Sequence, residues 1–198
     1  SPNTEYDVVL SSGEQVTSAL LAITLDNLSI KARSWLGWQI PIISDLTHGN
    51  ALIEEIKTDQ IHEFFRKNQV AIISGFQGVT KDNRITTLGR GGSDTTAVAI
   101  AAAFSAERCD IYTDVDGVYT TDPRIVKNAK KLDKITYEEM LELASQGAKV
   151  LQTRSVALAM RFKVKLRVLS SFEDLPGTSI IEEGKNMEKS EISQKQEF

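Results

Sequence analysis

The chain has 198 residues, of which 41% are hydrophobic and 25% are charged, and its formal net charge at pH 7 is −4. This length fits one domain, or one domain with part of another, and the composition is that of a soluble globular protein with a sizeable core. The acidic balance and the lack of a basic stripe with interleaved aromatic residues argue against a nucleic-acid partner.

The chain contains one cysteine, Cys109, so no disulfide can form within it and we expect a reducing, cytoplasmic location. Cys109 precedes the residues DIYTDV and is interpreted as a small core residue. No secretory signal is expected, because residues 1–9 lack both a basic start and a long apolar run. The longest strictly apolar run, Ala97 to Phe104, is too short to span a bilayer, so we expect no membrane partner.

Helices and strands are predicted to alternate along the first half of the chain. Apolar residues at helical spacing predict a helix over 13–28 that begins near Gly13 or Glu14. The continuous apolar run at 69–76 is typical of a buried strand in a parallel sheet. The remaining predicted elements of this half are short strands at 29–35, 51–56 and 82–89 and a helix over 58–68.

The second half continues this alternation after a glycine-rich loop. Thr136 and Glu139 form a capping-box pattern, which predicts a helix directly after it. The other predicted elements are a helix from Asp94 to Ala106, a buried strand at 109–115, a helix over 149–162 and a last strand at 164–172. The alternation predicts an α/β fold with a mainly parallel central sheet that has helices on both faces. The polar residues 183–198 are interpreted as a linker or mobile tail.

The loop GRGGSD, Gly89 to Asp94, has the composition of an anion-binding site. Its glycines allow backbone N–H groups to approach a ligand closely, and the helix that follows adds the positive end of its dipole. Arg90 can pair with a carboxylate or a phosphate through two hydrogen bonds. The loop matches neither the P-loop, nor the dinucleotide-binding G-x-G-x-x-G, nor the protein-kinase glycine loop. A flexible surface turn is the alternative interpretation of these residues alone.

A second candidate site is the stretch YTDVDGVYTTDPR, residues 112–124. It follows a predicted buried strand, which is where open α/β sheets bind ligands. Thr113 and Asp114 offer a hydroxyl and a carboxylate. Tyr119 can cover a base or a sugar, and Arg124 can meet a phosphate. The alternative interpretation is a long acidic surface loop.

Single residues elsewhere carry weaker signals. Lys149, at a glycine-led turn or helix start, is by itself most simply a solvated cation. Glu14, in a predicted first turn, is most simply a partner of the helix dipole. His48 and His62 have no metal-ligand spacing with cysteines or carboxylates and are interpreted as structural or surface residues. No metal-binding residues are predicted.

Six stretches together resemble the aspartokinases, which are members of the amino acid kinase fold. They are SSGEQVTSALLA, GFQGVT, TTLGRGGSDTTAVAIAAA, DIYTDVDGVYTTDPRIV, EEMLELASQGAKVLQTRSV and LRVLSSFEDLPGTSI, in the family's order. The resemblance implies a carbamate kinase-like fold and an amino acid kinase domain over 1–182. It also implies that ATP and L-aspartate give ADP and 4-phospho-L-aspartate, the first step toward lysine (through diaminopimelate), threonine and methionine.

The resemblance implies a role for each candidate residue. In the substrate pocket, Arg90 would clamp the α-carboxylate and Glu14 would hold the amino group. Asp94 would be the catalytic carboxylate that orients lysines, and Lys149 would be the catalytic lysine that reaches the ATP phosphates. The other substrate-pocket residues would be Gly91, Gly92 and Ser93, and the other nucleotide contacts would be Thr113, Asp114, Tyr119 and Arg124.

The implied chemistry agrees with these residue types. L-aspartate has two carboxylates and one ammonium group, so a forked cation and an acid at opposite ends suit it. Because the attacking group is already a carboxylate, no general base is needed, and catalysis is positioning plus stabilisation of charge. Mg²⁺ is expected as a cofactor beside ATP, held mainly by the phosphates.

Two parts of the family pattern are not found in the 198 residues. The family begins with a glycine turn reading roughly K-F/Y-G-G-[ST]-S, which meets the ATP phosphates, and ends in regulatory ACT domains. We therefore expect a catalytic-domain fragment whose sheet is incomplete at the N-terminus and whose turnover is impaired. Exposed sheet edge and apolar surface would favour a homo-oligomer or association with a longer subunit.

Two alternatives stay open at this point. One is another amino acid kinase, such as one acting on glutamate or acetylglutamate, although the motifs GRGGSDTTA and YTTDPR favour aspartate as the substrate. The other is a non-catalytic remnant that binds nucleotide or assembles with an intact subunit. A flavin- or nicotinamide-binding domain is disfavoured by the missing G-x-G-x-x-G.

Overall fold

The computed structural model describes residues 2–147 and 150–183. The chain divides into two compact units, Ser1–Phe104 and Ser105–Phe198. Lys149 and all of the predicted tail except Glu183 lie outside the described residues.

Helices and strands alternate in both units. The first unit contains, in chain order, α1 (Pro2–Asn27), β1 (Ala32–Trp35), β2 (Ile42–Ser44), β3 (Ile53–Ile56), α2 (Asp59–Phe65), β4 (Val70–Ile73), β5 (Gln77–Val79), β6 (Ile85–Thr87) and α3 (Gly92–Ala103). The second unit contains β7 (Cys109–Thr113), β8 (Lys134–Thr136), α4 (Tyr137–Ser145), α5 (Thr153–Phe162), β9 (Leu166–Ser170) and β10 (Thr178–Ile181).

Parallel strand pairs occur in every sheet that the described residues form. In the first unit β1 and β4 make a two-stranded parallel sheet, and a second sheet has the order β3-β2-β5-β6, with β2 and β5 parallel and the outer pairs antiparallel. In the second unit the order is β7-β9-β10-β8, with β7 parallel to β9 and β10 parallel to β8. The predicted α/β class is confirmed, with the described strands divided among three sheets.

Apolar side chains between helices and strands form the core of the first unit. Trp35 at the end of β1 and Ile61 of α2 are buried together, and the Trp35 ring meets the Phe64 ring edge-on at 5.5 Å. Burial of this kind is the main favourable contribution to folding. The parallel pairing predicted for β4 is confirmed, but its burial is partial, because Ile72 is buried and Val70 is 42% exposed.

The second unit is built around the neighbouring parallel strands β7 and β9, which correspond to the strands predicted at 109–115 and 164–172. Their register places Cys109 opposite Leu166. Cys109 is buried, so its interpretation as a core residue is confirmed.

Several element boundaries differ from the prediction. The sequence does not predict β2, β5, β8 or β10, which have three or four residues each and are defined by tertiary pairing more than by local pattern. Helix α3 begins at Gly92 instead of Asp94, and α5 begins at Thr153, later than predicted. The capping box of α4 is confirmed, since Thr136 Oγ1 accepts a hydrogen bond from the Glu139 N–H and the Glu139 carboxylate accepts one from the Thr136 N–H.

The largest difference concerns α1, which begins at Pro2 and runs through Gly13, the predicted start. The buried positions of this helix include the polar residues Asp7, Ser11 and Ser18, whereas most of its large apolar side chains are exposed. A helix with this reversed pattern is hard to find from sequence, because amphipathic helices normally bury their apolar face.

Residues Asn3–Asn27 of α1 are long and apolar enough to cross a membrane by length and composition alone, since an 18-residue window within them has a mean hydropathy of 1.4. Polar residues such as Ser11 and Glu14 interrupt the stretch, so it contains no long strictly apolar run. The helix lies against β1, β4 and β6, and its buried face presents a carboxylate and hydroxyl groups that hydrocarbon would leave without partners. We therefore treat α1 as part of the folded first unit.

Candidate functional site

The glycine loop predicted to bind anions forms the turn between β6 and α3. Gly89 and Gly91 have φ values of 73° and 71°, in the left-handed region that favours glycine, and Gly91 is the N-cap of α3. A Cβ atom at Gly92 would lie 2.8 Å from a ring carbon of Phe76. Backbone geometry or close packing therefore requires glycine at each of these positions.

The glycine loop lines an open cavity of about 450 Å³ in the first unit, which we call the loop cavity. The N-terminus of the 12-residue helix α3 forms part of its wall, so the helix dipole adds positive potential there. The predicted residues that line the loop cavity are Arg90, Gly91, Gly92, Ser93 and Asp94. The lining residues that the sequence does not predict include Leu10, Gly49, Phe76 and Thr87.

The loop cavity offers one cation and one carboxylate. Arg90 is exposed, while Asp94 is partly buried in the first turn of α3, and this burial raises the pKa of its carboxyl group. Among the described residues of the first unit, no side chain forms an ion pair or a hydrogen bond with either charged group. Within the described residues of the first unit, neither group has a side-chain partner that a charged ligand would have to displace.

Glu14 occupies a different place from the predicted one. It lies in the middle of α1, so its interpretation as a first-turn partner of the helix dipole is wrong. Leu10, one turn earlier, lines the loop cavity, whereas Glu14 does not. Ser74 Oγ donates a hydrogen bond to the Glu14 carbonyl oxygen at 3.3 Å, which ties this turn of α1 to the segment after β4. The contact of Glu14 with a substrate amino group stays a prediction.

A buried carboxylate behind the loop cavity is also absent from the prediction. Asp7 of α1 is 1% exposed. It accepts hydrogen bonds from His48 Nδ1 at 2.7 Å and from Thr87 Oγ1 at 2.6 Å. The available signal is the helical spacing of Asp7, Ser11 and Ser18, which places three polar side chains on one face of α1.

The two histidines are held by contacts within the first unit. The side chain of His48 is 16% exposed and bonds to Asp7, and the His62 ring meets the Phe104 ring at 5.0 Å. Across residues 2–147 and 150–183, no group of three or more histidine, cysteine and carboxylate side chains is placed to hold a metal ion. The described side chains therefore fit a magnesium ion only if phosphate oxygens and water supply most of the ion's ligands.

The second predicted site, residues 112–124, begins at the C-terminal end of β7 in the second unit. Thr113 Oγ1 donates a hydrogen bond to the Asp114 carboxylate at 3.2 Å. Arg124 is exposed and donates two hydrogen bonds to Asp122, at 3.1 and 2.9 Å, which raise the pKa of Arg124 and lower that of Asp122. A phosphate at Arg124 would have to share or displace this carboxylate.

The middle of the same loop is held by two sets of hydrogen bonds. The Tyr119 hydroxyl donates to the Asp116 carboxylate at 3.0 Å, and Lys131 Nζ donates to the same carboxylate at 3.3 Å. Burial, together with Asp116, raises the pKa of Tyr119. Thr178 Oγ1 of β10 accepts a hydrogen bond from the Val118 N–H at 2.8 Å. The loop is therefore fixed to the sheet at one point and internally braced at another.

A smaller cavity of about 200 Å³ lies at the C-terminal ends of β7 and β9, and none of the individual residues predicted for a site lines it. Its wall includes Tyr112, Arg167 and Ser170. Arg167 donates a hydrogen bond to Asp110 at 2.7 Å. Partial burial raises the pKa of Asp110, but hydrogen bonds from Arg167 and Arg108 outweigh it and leave that pKa below its ordinary value.

The position of Lys149, predicted as the catalytic lysine, lies outside the described residues. Its role therefore stays a prediction.

Comparison with known proteins identifies a family and its relatives. The sequence model of the amino acid kinase family matches residues 2–170. The chain is 58% identical over 190 residues to the aspartokinase of Rickettsia felis, an alignment that covers 96% of this chain and 47% of that protein. The chain thus spans about half the length of the curated relatives it matches.

Two solved structures match closely in fold. The structure of Escherichia coli aspartokinase III in complex with aspartate and ADP has a TM-score of 0.83 and 33% identity, covering 93% of this chain and 42% of that one. The aspartate kinase of Synechocystis has a TM-score of 0.78 and 45% identity, covering 90% of this chain and 29% of that one. The fold expected from the sequence motifs is confirmed by these matches.

Proposed function

Because the chain belongs to the amino acid kinase family, we propose that it is the catalytic portion of an ATP-dependent aspartate kinase. The reaction transfers the γ-phosphoryl group of ATP to the side-chain carboxylate of L-aspartate and gives 4-phospho-L-aspartate. The observation that carries the proposal is the loop cavity, which Arg90, the N-terminus of α3 and Asp94 line together. The matching aspartokinase III structure is described with aspartate and ADP, and we extend both ligands to this chain.

The proposed substrate site uses the charges of the loop cavity. Arg90 binds the α-carboxylate of L-aspartate, and the N-terminus of α3 adds positive potential for an anion. Glu14 holds the substrate ammonium group. The small residues Gly91, Gly92 and Ser93 allow the ligand to approach the backbone.

The proposed nucleotide site uses the loop of the second unit. Thr113 and Asp114 contact the nucleoside, and Tyr119 covers it. Arg124 and Lys149 meet the phosphates. The hydrogen bond from the Val118 N–H that fixes the loop to β10 supports this assignment, since a braced loop loses less conformational entropy when a ligand binds.

The proposed mechanism needs no general base, because the attacking oxygen belongs to a carboxylate that is ionised at neutral pH. Arg90 orients the substrate, and Asp94 holds the catalytic lysines in place. Lys149 stabilises charge on the transferring phosphoryl group. Mg²⁺ would be held mainly by the phosphates and would further neutralise that charge.

Three wider features belong to the same proposal. The kinase domain extends over 1–182, and 183–198 are a linker. The reaction takes place in the cytoplasm and leads toward lysine (through diaminopimelate), threonine and methionine. Because the chain spans about half the length of its relatives, its turnover alone is slower than that of a protein of their full length.

We also propose that the chain associates with a second copy through α1. Its exposed apolar side chains include Val9, Val16, Leu20 and Ile23, each more than half exposed. A helix of 26 residues is about 39 Å long, enough to contribute substantially to the roughly 800 Å² that each partner buries in a stable interface.

Substitution of Arg90 tests the proposed substrate. Calorimetric titration would measure the binding of L-aspartate in the presence of Mg²⁺ and a non-hydrolysable ATP analogue, and ADP release would measure turnover. Arg90→Ala should weaken L-aspartate binding roughly 30- to 100-fold, because it removes hydrogen bonds between charged groups. Nucleotide affinity should stay within twofold, roughly the noise of a surface change.

The matched control is Arg66→Ala, since Arg66 is an exposed arginine of the same unit that pairs with Glu63 and does not line the loop cavity. It should leave both affinities unchanged. Preferential binding of glutamate or acetylglutamate would instead indicate another amino acid kinase. Nucleotide binding without any binding of L-aspartate would indicate a non-catalytic remnant.

A further inference from the structure

The carboxylate of Asp7 joins three segments that are far apart in the sequence. Its Oδ1 atom accepts a hydrogen bond from Thr87 Oγ1 at 2.6 Å. Its Oδ2 atom accepts one from His48 Nδ1 at 2.7 Å and one from the Gly49 N–H at 3.1 Å. Because a carboxylate only accepts hydrogen bonds, Nδ1 of His48 carries the proton in this arrangement.

Both partner segments form walls of the loop cavity. Gly49 and Thr87 line it, and Thr87 ends β6 immediately before the glycine turn. Ala51, the residue that follows the segment 47–50, is also tied to β6 through the backbone, since its N–H donates to the Thr87 carbonyl oxygen at 2.9 Å. A substitution of Asp7 would therefore affect two walls of the loop cavity, those at Gly49 and Thr87.

The glycine turn itself rests on the segment that Asp7 holds. A Cβ atom at Gly89 would lie 2.8 Å from Asn50 Oδ1 and 3.0 Å from the Gly49 carbonyl oxygen. The segment 47–50 therefore lies directly against the turn before Arg90, and a movement of this segment toward Gly89 would press on that turn.

Fold stability alone gives little reason for a charge at this position. Burying a carboxylate is costly, and a well-packed apolar residue is often as stabilising as a buried charged group with its partners. Asp7 is 1% exposed, yet all its hydrogen bonds lead to the walls of one cavity or to a residue beside them. The Asp7 carboxylate is thus placed where its hydrogen bonds hold the walls of the loop cavity.

We propose that Asp7 is a positioning residue: through Thr87, His48 and Gly49 its carboxylate fixes the glycine turn so that Arg90 and the start of α3 are presented to the amino acid substrate. This inference rests on the proposed function for the identity of the substrate. The placement of the turn by Asp7 does not depend on it. Asp7 touches neither substrate nor nucleotide in this role.

Two substitutions disturb the hydrogen bonds of the Asp7 carboxylate. Asp7→Asn keeps one neutral acceptor oxygen and replaces the other with a donor, so either Thr87 or the 47–50 segment loses its acceptor and both lose a hydrogen bond to a charged group. Thr87→Val removes the hydroxyl while keeping the shape, and Thr87→Ser restores the hydroxyl. Thr86→Val is the matched control, because Thr86 is equally buried and bonds to Ser44 at 2.6 Å but does not line the loop cavity.

The first readout is steady-state kinetics and binding of the whole chain. We expect Asp7→Asn and Thr87→Val to raise KM and Kd for L-aspartate about tenfold, with kcat and nucleotide affinity changed less than about threefold. Thr87→Ser should recover most of the affinity. Thr86→Val should leave KM unchanged even if it lowers the melting temperature. Equal KM values for Thr87→Val and Thr86→Val would overturn the proposal.

The second readout needs no ligand. Amide hydrogen exchange, followed by NMR, should become faster at Gly49 and across 88–91 in Asp7→Asn and Thr87→Val, and should stay unchanged there in Thr86→Val. Unchanged exchange in all variants would overturn the positioning role. If the unsubstituted chain does not bind L-aspartate but exchange responds as expected, the proposed substrate is wrong and the positioning of the turn stands.

Discussion

The carboxyl group of Asp94 loses part of its hydration at the start of α3, and this burial raises its pKa. A raised pKa in the folded state means that the ionised form is less favourable there than in the unfolded chain. Its charge therefore destabilises the fold at pH values above the shifted pKa, and this penalty disappears as the pH falls below the ordinary value of 3.8. In the proposed function the charge is kept because it orients lysines.

Substitution Asp94→Asn should accordingly raise the free energy of unfolding at pH 7 while abolishing most turnover. The gain should shrink as the pH is lowered toward 4, because the carboxyl group of the unsubstituted protein then takes up its proton. Urea unfolding at both pH values, with Asp82→Asn in an exposed turn as the control, measures the difference. A less stable Asp94→Asn at pH 7 would contradict the sign.

The same chemical change should have opposite effects in α1 and α3. Gly13 lies inside α1 and a Cβ atom there would meet nothing within 4 Å, so Gly13→Ala should stabilise the protein by about 0.5–1 kcal/mol through helix propensity. A Cβ atom at Gly92 would meet Phe76 at 2.8 Å and Leu88 at 3.0 Å, so Gly92→Ala should destabilise it by about 1–3 kcal/mol.

Thermal or urea unfolding of the two variants checks the signs, and titration with L-aspartate separates the two sites further. Gly92→Ala should weaken binding, because Gly92 and Phe76 both line the loop cavity. Gly13→Ala should leave binding unchanged, since Gly13 does not line it. If Gly92→Ala stabilised the protein as Gly13→Ala does, packing at the start of α3 would be looser than its geometry indicates.

Helices and strands were predictable where local pattern and packing agree. The capping box of Thr136 with Glu139 predicts α4, and the apolar run at 69–76 predicts the parallel pairing of β4. The start of α1 was not predictable, because its inward face carries Asp7 and Ser11 and its outward face is apolar. The strands β2, β5, β8 and β10 were not predictable either, since tertiary pairing and not local sequence defines them.

The candidate site was predictable only as far as its motifs are continuous. The loop from Gly89 to Asp94 is continuous in the sequence, and its residues line one cavity. Asp7, His48 and Thr87 each stand alone, and their contact depends on how three distant segments fold together. Spacing within a motif therefore identifies the groups that meet a ligand, but the groups that hold the motif in place become visible only in the folded chain.

The first unit has a polar helix face turned inward and an apolar helix face turned outward, and this arrangement bears on the assembly of the protein. A polar inner face is stable because its hydrogen bonds are satisfied, as in the pair of Ser18 and Ser74 at 2.8 Å. An apolar outer face is unfavourable in water unless another surface covers it. The pattern of α1 thus favours a covered state over an isolated chain.

Sedimentation velocity should therefore show association that increases with protein concentration. Leu20→Glu, in the outward face of α1 where Leu20 is 57% exposed, should shift the protein toward monomer, because a charge cannot be buried in an apolar interface without a partner. Ile125→Glu is the matched control, since Ile125 is 80% exposed in the second unit and does not belong to α1. Monomer at all concentrations before substitution, or an equal effect of both substitutions, would show that α1 does not form the contact.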